Sequence, residues 1–446
     1  MSTLTPRVWW AIVVVGFVGQ VAWTIENLYL NLFVYRTITD DPTAIAVMVA
    51  VSAVSATTAA FVVGAWSDRA GRRRAFIAVG YVLWGLATMA FGLVSVDVLA
   101  QVVPLASAVA AAVVAVVVVD AVMSFLGAGA NDATFNAWVT DVTQAGNRGR
   151  VESVLAVMPL LSMLLVFGAL DPLTQAGEWS LFFLLVGAVV VVAGLASWGL
   201  VRDTPEHTRQ HAGMLRAMLG TVRPAAVRAN PRLYLTLATL GLVGISSQVM
   251  LPYLLIYLQN YLRIDAYAVV LAVVLLGASV VGVLGGRVID RVGKVRFMPL
   301  AVVVYLAGLL AMVPARDLVP VIGAGMVLMS GFILVLAAVA AAVRDYTPLD
   351  SVGAVQGLRM VFYVLAPMVI GPFIGAAVIR GADTYYEDLG QVRQVPTPAI
   401  FVAAAVVGVL ALVPMLALQR AELRARPGPT GAEGRVAPVG DLPPRP

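Results

Sequence analysis

The chain has no cysteine, one lysine and two histidines in 446 residues. Without thiols, disulfide frameworks, thiolate catalysis and cysteine metal sites are all excluded. Charge of either sign is sparse as well. Asp, Glu, Lys and Arg together make up 12% of the chain, against ~25% in soluble domains. No G-x-x-x-x-G-K-[ST] run is present, so the chain itself is not expected to hydrolyse ATP. H-E-x-x-H and G-x-S-x-G are missing too, and no nucleophile–base pair stands out, so an enzyme is not expected. What fills the sequence is apolar: 61% of residues are hydrophobic, and runs such as 8–25 and 180–201 carry no charge at all. Runs of that length mark bilayer-spanning helices and not a soluble core.

The basic residues then report topology, because membrane proteins concentrate Lys and Arg in cytoplasmic loops. The formal net charge of +5 needs no nucleic-acid partner, and none is expected. The first apolar run follows Arg7, is too long for a signal-peptide core and lacks a small-residue cleavage site. It reads as a retained first span. Charge and Pro/Gly breaks divide the chain into twelve spans: 8–35, 44–66, 75–97, 112–140, 151–171, 179–201, 232–261, 267–286, 297–315, 318–344, 352–379 and 397–419. The stretch 75–140 could hold two helices or three. A third would move Arg202, Arg209, Arg216, Arg223, Arg228 and Arg232 outside, against the positive-inside rule. With twelve spans and both termini cytoplasmic, 24 of the 29 basic residues lie inside, leaving Arg36, Arg263, Arg316, Arg380 and Arg393 outside. The surplus residues near 98–115 become an extended external end of span 3 or 4, or a hairpin dipping into the surface.

The expected organisation is an all-α polytopic protein of the inner (plasma) membrane, with two six-helix bundles at 1–201 and 232–419. Residues 202–231, punctuated by Pro205 and Pro224, form a cytoplasmic linker. Residues 420–446 are rich in Pro and Gly and read as a disordered tail. His207 and His211 have the i, i+4 spacing of a metal pair. With only Glu206 nearby as a third ligand, a solvated helix face is the better reading, and no metal is expected.

One charged knot interrupts the apolar runs, GAWSDRAGRRR at 64–74, and it recurs as GRVIDRVGKVR at 286–296. Gly64/Gly286, Asp68/Asp290, Arg69/Arg291, Gly71/Gly293, Arg72/Lys294 and Arg74/Arg296 fall in register. A second pair follows at identical internal spacing. Asp141-Val-Thr143 with Gly149-x-Val151-Glu152 matches Asp345-Tyr-Thr347 with Gly353-x-Val355-Gln356. Two similar six-helix halves are the signature of a secondary transporter built from repeats. On these residues the chain resembles the major facilitator superfamily, whose loop pattern G-x-x-x-D-R-x-G-R-[RK]-[RK] stands here as Gly64, Asp68, Arg69, Gly71, Arg72, Arg73 and Arg74. The resemblance covers about residues 7–420. SDRAGRRR with the polar NDATFNAW of span 4 is loosely nearest to sugar–cation symporters of the glycoside–pentoside–hexuronide and sucrose-carrier type. The best-known cation sites of the former group use acids on the second helix, where this chain offers Ser52, Ser55, Thr57 and Thr58.

An ionisable side chain at mid-bilayer costs on the order of 3 kcal/mol on insertion scales, so it usually serves a site or pairs with a neighbour. Glu26 lies ten residues before Arg36 and Asp132 nine before Asp141, or about 15 and 14 Å from the span ends at helical rise. Both land near the midplane, where carriers hold cargo and ions. Gln20, Thr24, Asn27 and Asn31 share one helical face, with Glu26 about 100° away beside Trp23. Asp132 and Asn136 share a face of span 4, with Asn131 to one side. On span 7, Tyr253, Tyr257 and Asn260 or Tyr261 repeat at helical spacing next to Gln248, and on span 11 Gln356, Arg359 and Tyr363 do likewise. Polar residues also glue membrane helices together, and the span 7 tyrosines equally suit interfacial anchoring. A carboxylate in a low-dielectric cavity either takes up a proton or stays ionised beside a cation. Asp132 is therefore the expected principal coupling acid and Glu26 the second.

The expected function is alternating-access transport of a small polar solute, a sugar or glycoside being one candidate, coupled to H⁺ or Na⁺ with no other cofactor. A proton-driven exporter of drugs or metabolites, or a non-transporting solute sensor, is the alternative. Exporters of the family often carry a glycine–proline pattern on helix 5, which VLAVMPLLSMLLVFGAL lacks. The carrier is expected to work as a monomer in the lipid bilayer. Arg72–Arg74 read as topology anchors. The resemblance further implies that Asp68, Arg69 and Arg72 pair with cytoplasmic helix ends and hold an inward gate shut. Asp141, Arg150 and Glu152 are the local candidates, with Asp290, Arg291, Asp345 and Arg359 across from them.

Overall fold

The structure, a computed structural model, describes residues 4–203, 224–347, 352–388 and 391–425. Twelve helices among them are long and apolar enough to cross a membrane: α1 (Pro6–Thr37), α2 (Pro42–Ala70), α3 (Arg73–Leu93), α4 (Ser107–Val142), α5 (Arg150–Gln175), α6 (Trp179–Leu200), α7 (Pro231–Tyr261), α8 (Tyr267–Ile289), α9 (Lys294–Met312), α10 (Leu318–Tyr346), α11 (Gly357–Ala382) and α12 (Ala399–Arg424). Each sequence-derived span has its helix. His207, His211 and Glu206 fall outside the described residues, as does the chain after 425.

Local chemistry sets the helix ends. Pro42 opens α2, where its missing N–H costs nothing, and the Asp41 carboxylate accepts from Thr43 N at 2.9 Å. Pro231 opens α7 in the same way beside Asn230, whose side chain accepts from Leu233 N. Both helices of the knot end at a glycine with positive φ: Gly71, a left-handed cap at φ +61°, and Gly293 at φ +93°, a more extended backbone also suited to glycine. From Leu105 the surplus residues extend the external end of α4, one of the expected alternatives, while those just after α3 stand apart. They make one short helix, Val96–Ala100, capped by Ser95, with Leu93, Val98 and Val102 exposed.

Alternation of twelve crossings brings the described termini and the α2–α3, α4–α5, α8–α9 and α10–α11 connections to one end, hereafter the basic end. The opposite end carries the one departure from all-helical structure among the described residues. This is an antiparallel hairpin of β1 (Tyr385–Asp388) and β2 (Gln391–Gln394), with Tyr385 opposite Gln394. Apolar side chains such as Val192, Val283 and Val319 are largely exposed on the outer surface, as a lipid-facing belt requires. The larger apolar core joins Phe33, Val49 and Trp84 of the first half to Tyr253, Tyr257 and Phe401 of the second. A smaller core around Leu237, Met298, Val335 and Leu418 stays within the second half.

Candidate functional site

Five of the spanning helices contain a π turn: Ile25–Tyr29 in α1, Ala128–Phe135 in α4, Val166–Leu170 in α5, Tyr257–Tyr261 in α7 and Val361–Leu365 in α11. Such a turn inserts a residue and rotates the rest of the helix by about 100°. In α1 this breaks the uniform face that helical spacing predicts. Thr24 turns to Ser162 of α5, with the two hydroxyls 2.9 Å apart. Glu26, Asn27 and Asn31 instead line space between the halves.

That space is a cavity of about 340 Å³, within the range of small-molecule sites. Trp23, Glu26 and Asn27 of α1 face Asp132 of α4, Ser247 and Gln248 of α7, and Tyr363 of α11 across it. A chamber of about 20 Å³ adjoins it, sharing Glu26, Asn27, Ser52 and Gln248 and adding Asn31 and Asp120. Glu26 is buried, and its Oε1 accepts from Ser52 at 2.9 Å and Ser124 at 2.6 Å. Asp132 Oδ1 accepts from Asn131 Nδ2 at 3.0 Å. The Tyr81 hydroxyl donates to Asn131 Oδ1 at 2.8 Å, which turns the amide nitrogen toward Asp132. A Cβ on Gly19 would stand 2.6 Å from both the Asn131 oxygen and the Tyr81 hydroxyl, so only glycine lets α1 pack there.

Of the residues expected to hold cargo or ions, Trp23, Glu26, Asn27, Asn31, Asp132, Gln248 and Tyr363 line these two spaces. Asn131 stands behind Asp132. Four others do not line them. Asn136 is exposed, its Nδ2 donating to the Asp132 carbonyl at 3.2 Å. Gln20 is half-buried, and its carbonyl accepts from Thr24. The buried Tyr253 hydroxyl lies 3.0 Å from the Pro42 carbonyl and 2.9 Å from that of Pro372, tying α7 to α2 and α11. Tyr257 packs on Tyr261 and Phe401. Helical spacing misplaces these tyrosines because α7 tightens to a 3₁₀ turn at Leu251–Tyr253 and then widens at Tyr257–Tyr261.

At the basic end, Arg73 is the hub of the first knot. It pairs with Asp68, reaches Asp141 Oδ2 at 3.1 Å and donates to Ser67 Oγ at 3.0 Å. In the second half Lys294 pairs with Asp345. Arg73 opens α3 and Lys294 opens α9, so the two bridges are equivalent although sequence register aligns Lys294 with Arg72. The first turn is one residue longer, and Arg72, expected in the gate, is an exposed cap residue instead. Arg69, Glu152 and Arg291 are exposed, Arg150 lies over the Trp9 ring at 5.2 Å, and Arg359 over Tyr363 at 5.9 Å. The side chains of Asp290 and Gln356 lie outside the described part. These bridges join helices of one half.

Bonds between halves gather at the hairpin end. Arg36 donates to Gln259 at 2.6 Å, Tyr267 donates to Asp171, Arg380 pairs with Asp41 at 2.8 Å, and the Gln394 N–H donates to Asp40 at 2.7 Å.

The sequence profile of the Major Facilitator Superfamily matches residues 11–338 and 240–443. The chain belongs to that superfamily. Solved structures of similar fold include a point mutant of the nucleoside transporter NupG, with TM-score 0.73 and 12% identity over 92% of this chain and 99% of that one. A bacterial homologue of the human lysosomal transporter Spinster, inward-facing and unoccupied, has TM-score 0.67 and 15% identity over 96% and 100%. The xylose transporter XylE from E. coli, partially occluded and inward open, has TM-score 0.64 and 14% identity over 93% and 98%. Among curated proteins none matches by sequence. As a superfamily member with twelve apolar helices, the protein is a multi-pass membrane transporter and not an enzyme. Sequence reasoning missed three of this transporter's polar contacts: Ser124 on Glu26, Arg73 between two aspartates, and the Asp171–Tyr267 bond between halves. Asp171, an acid at the end of a span, was the one with a visible signal.

Proposed function

We propose that this transporter carries a small polar solute through the central cavity by alternating access, coupled to H⁺ or Na⁺ at Asp132 and Glu26. One observation carries the reading: two carboxylates from different helices line a cavity between the halves, with bonds between the halves gathered at the hairpin end among the described residues. The positive-inside rule makes the basic end cytoplasmic, so the conformation is inward-facing. Trp23 and Tyr363 offer aromatic surfaces, and Asn27, Gln248 and Ser247 offer hydrogen bonds, which suits a sugar or glycoside. Asp132 is the principal coupling acid because Tyr81 and Asn131 hold it in place. Asp68 and Arg73 act as the gate at the cytoplasmic mouth.

A second reading, proton-driven export of an amphipathic metabolite or drug, is favoured by an apolar pocket of about 200 Å³ that shares Leu251 and Phe332 with the cavity. Flux into proteoliposomes under imposed H⁺ or Na⁺ gradients decides. Uptake that follows one gradient, saturates with solute and loses its coupling in Asp132→Asn supports the symporter. Substrate movement against an inward proton gradient supports the exporter. Solute binding without any flux refutes both in favour of a sensor.

A further inference from the structure

We propose that the small chamber beside the cavity is a Na⁺ site, built by Glu26 and Asn31 of α1, Ser52 of α2 and Asp120 of α4. As the place where the coupling ion binds, it rests on the carrier reading; as a binding site, it stands on its own geometry. Three oxygens around the chamber have no hydrogen-bond partner: Glu26 Oε2, Asn31 Oδ1 and Asp120 Oδ1. Their residues are 7%, 2% and 1% exposed. The Asn31 amide is oriented by its own bond, since Nδ2 donates to the Asn27 carbonyl at 3.1 Å and leaves the oxygen over.

All three orphans are acceptors. An unmatched buried acceptor costs about 1–3 kcal/mol, and two nearby carboxylates repel besides. A shared proton would satisfy one contact, and a water brings two hydrogens. A cation meets all three and offsets the charge. The chamber's ~20 Å³ is room for about one water-sized occupant, too tight for Mg²⁺ with its retained waters, and its three free oxygens fall well short of the six to eight ligands of Ca²⁺. The donors are oxygens alone. Among the described residues no group of three or more His, Cys, Asp or Glu could hold a metal ion, which leaves transition metals unserved. Asp132 lines the cavity but not the chamber, so it is not among the ligands of this site.

The test titrates Na⁺ against choline at constant ionic strength on the purified full chain, reading melting temperature and bound radioactive sodium. The expected result is saturable, Na⁺-specific stabilisation. Asp120→Asn and Asn31→Leu should each weaken it by about tenfold or more, while Gly286→Ala, with nothing within 4 Å of the added methyl, retains it. Equal behaviour in Na⁺ and choline at acid, neutral and alkaline pH overturns the site, and so does unchanged sodium binding in a folded Asp120→Asn or Asn31→Leu. Proton-driven flux with no sodium binding sinks the site and spares the carrier. Sodium binding without flux of any solute spares the site and sinks the carrier.

Discussion

Arg72 and Arg73 are neighbours in a run of three arginines, yet one faces water and the other sits between two carboxylates. Arg73 is 13% exposed, and its partners Asp68 and Asp141 are 18% and 16% exposed. That burial shields the cluster from the screening that weakens surface pairs. Arg73→Ala should therefore destabilise the protein by about 1.5–3 kcal/mol, the range for hydrogen bonds to charged groups. Arg72→Ala should stay within about 0.5 kcal/mol. Thermal unfolding in detergent checks both, and equal losses would show that the arginines act only as topology charge. Asp68→Asn keeps the charge pattern of the run but loses the bridge, so transport should slow while membrane insertion and cargo binding persist. Which arginine does this was not legible beforehand. Residue types and repeat register are written in the sequence, whereas the choice between adjacent positions depends on a one-residue difference in turn length.

The elements themselves were largely legible, because a span is a run of apolar residues ended by charge, proline or glycine, and those signals are local. Site residues were legible in kind and not in direction. Glu26, Asn27, Asn31 and Asp132 stand out as polar groups in apolar runs, but the face each presents depends on π turns at Ile25–Tyr29 and Ala128–Phe135. Those turns are stabilised by tertiary contacts such as Ser124 on Glu26 and Tyr81 on Asn131, which no local pattern announces. The misplacement of Tyr253 and Tyr257 has the same origin. One prediction tests how tightly the elements hold the site. In Gly19→Ala the new methyl would meet the Asn131 amide and the Tyr81 hydroxyl at 2.6 Å, forcing α1 from α4. A loss of about 1–3 kcal/mol, typical of overpacking, should accompany a larger loss of transport, because Asn131 positions Asp132. Gly286→Ala, with nothing within 4 Å, is the control. Transport unharmed by Gly19→Ala would mean that the Tyr81–Asn131–Asp132 chain is not needed.

For the whole molecule, alternating access requires that the bonds closing one end be comparable in strength with those that close the other in the opposite state. The contacts at the hairpin end differ in what they contribute. Arg380–Asp41 is exposed at 54% and 44%, and such pairs are worth about 0–1 kcal/mol. The Tyr267–Asp171 bond is buried, with Tyr29 donating to the same carboxylate at 2.9 Å. Hydrogen bonds to a charged group are worth about 1.5–3 kcal/mol. Tyr267→Phe should therefore move the conformational ratio by roughly tenfold, since 1.4 kcal/mol is a factor of ten, and Asp41→Asn by much less. The absence of native cysteine makes this measurable without background. Spin labels on Glu178→Cys with Asp265→Cys report the hairpin end, and labels on Ala70→Cys with Val292→Cys report the basic end. Double electron–electron resonance should show the first pair separating and the second approaching in Tyr267→Phe. Both pairs must move, and in opposite senses, because a rocking motion that opens one end closes the other. Opening at the hairpin end with no approach at the basic end would mean local fraying, and the buried tyrosine would then be a structural bond and not part of the switch.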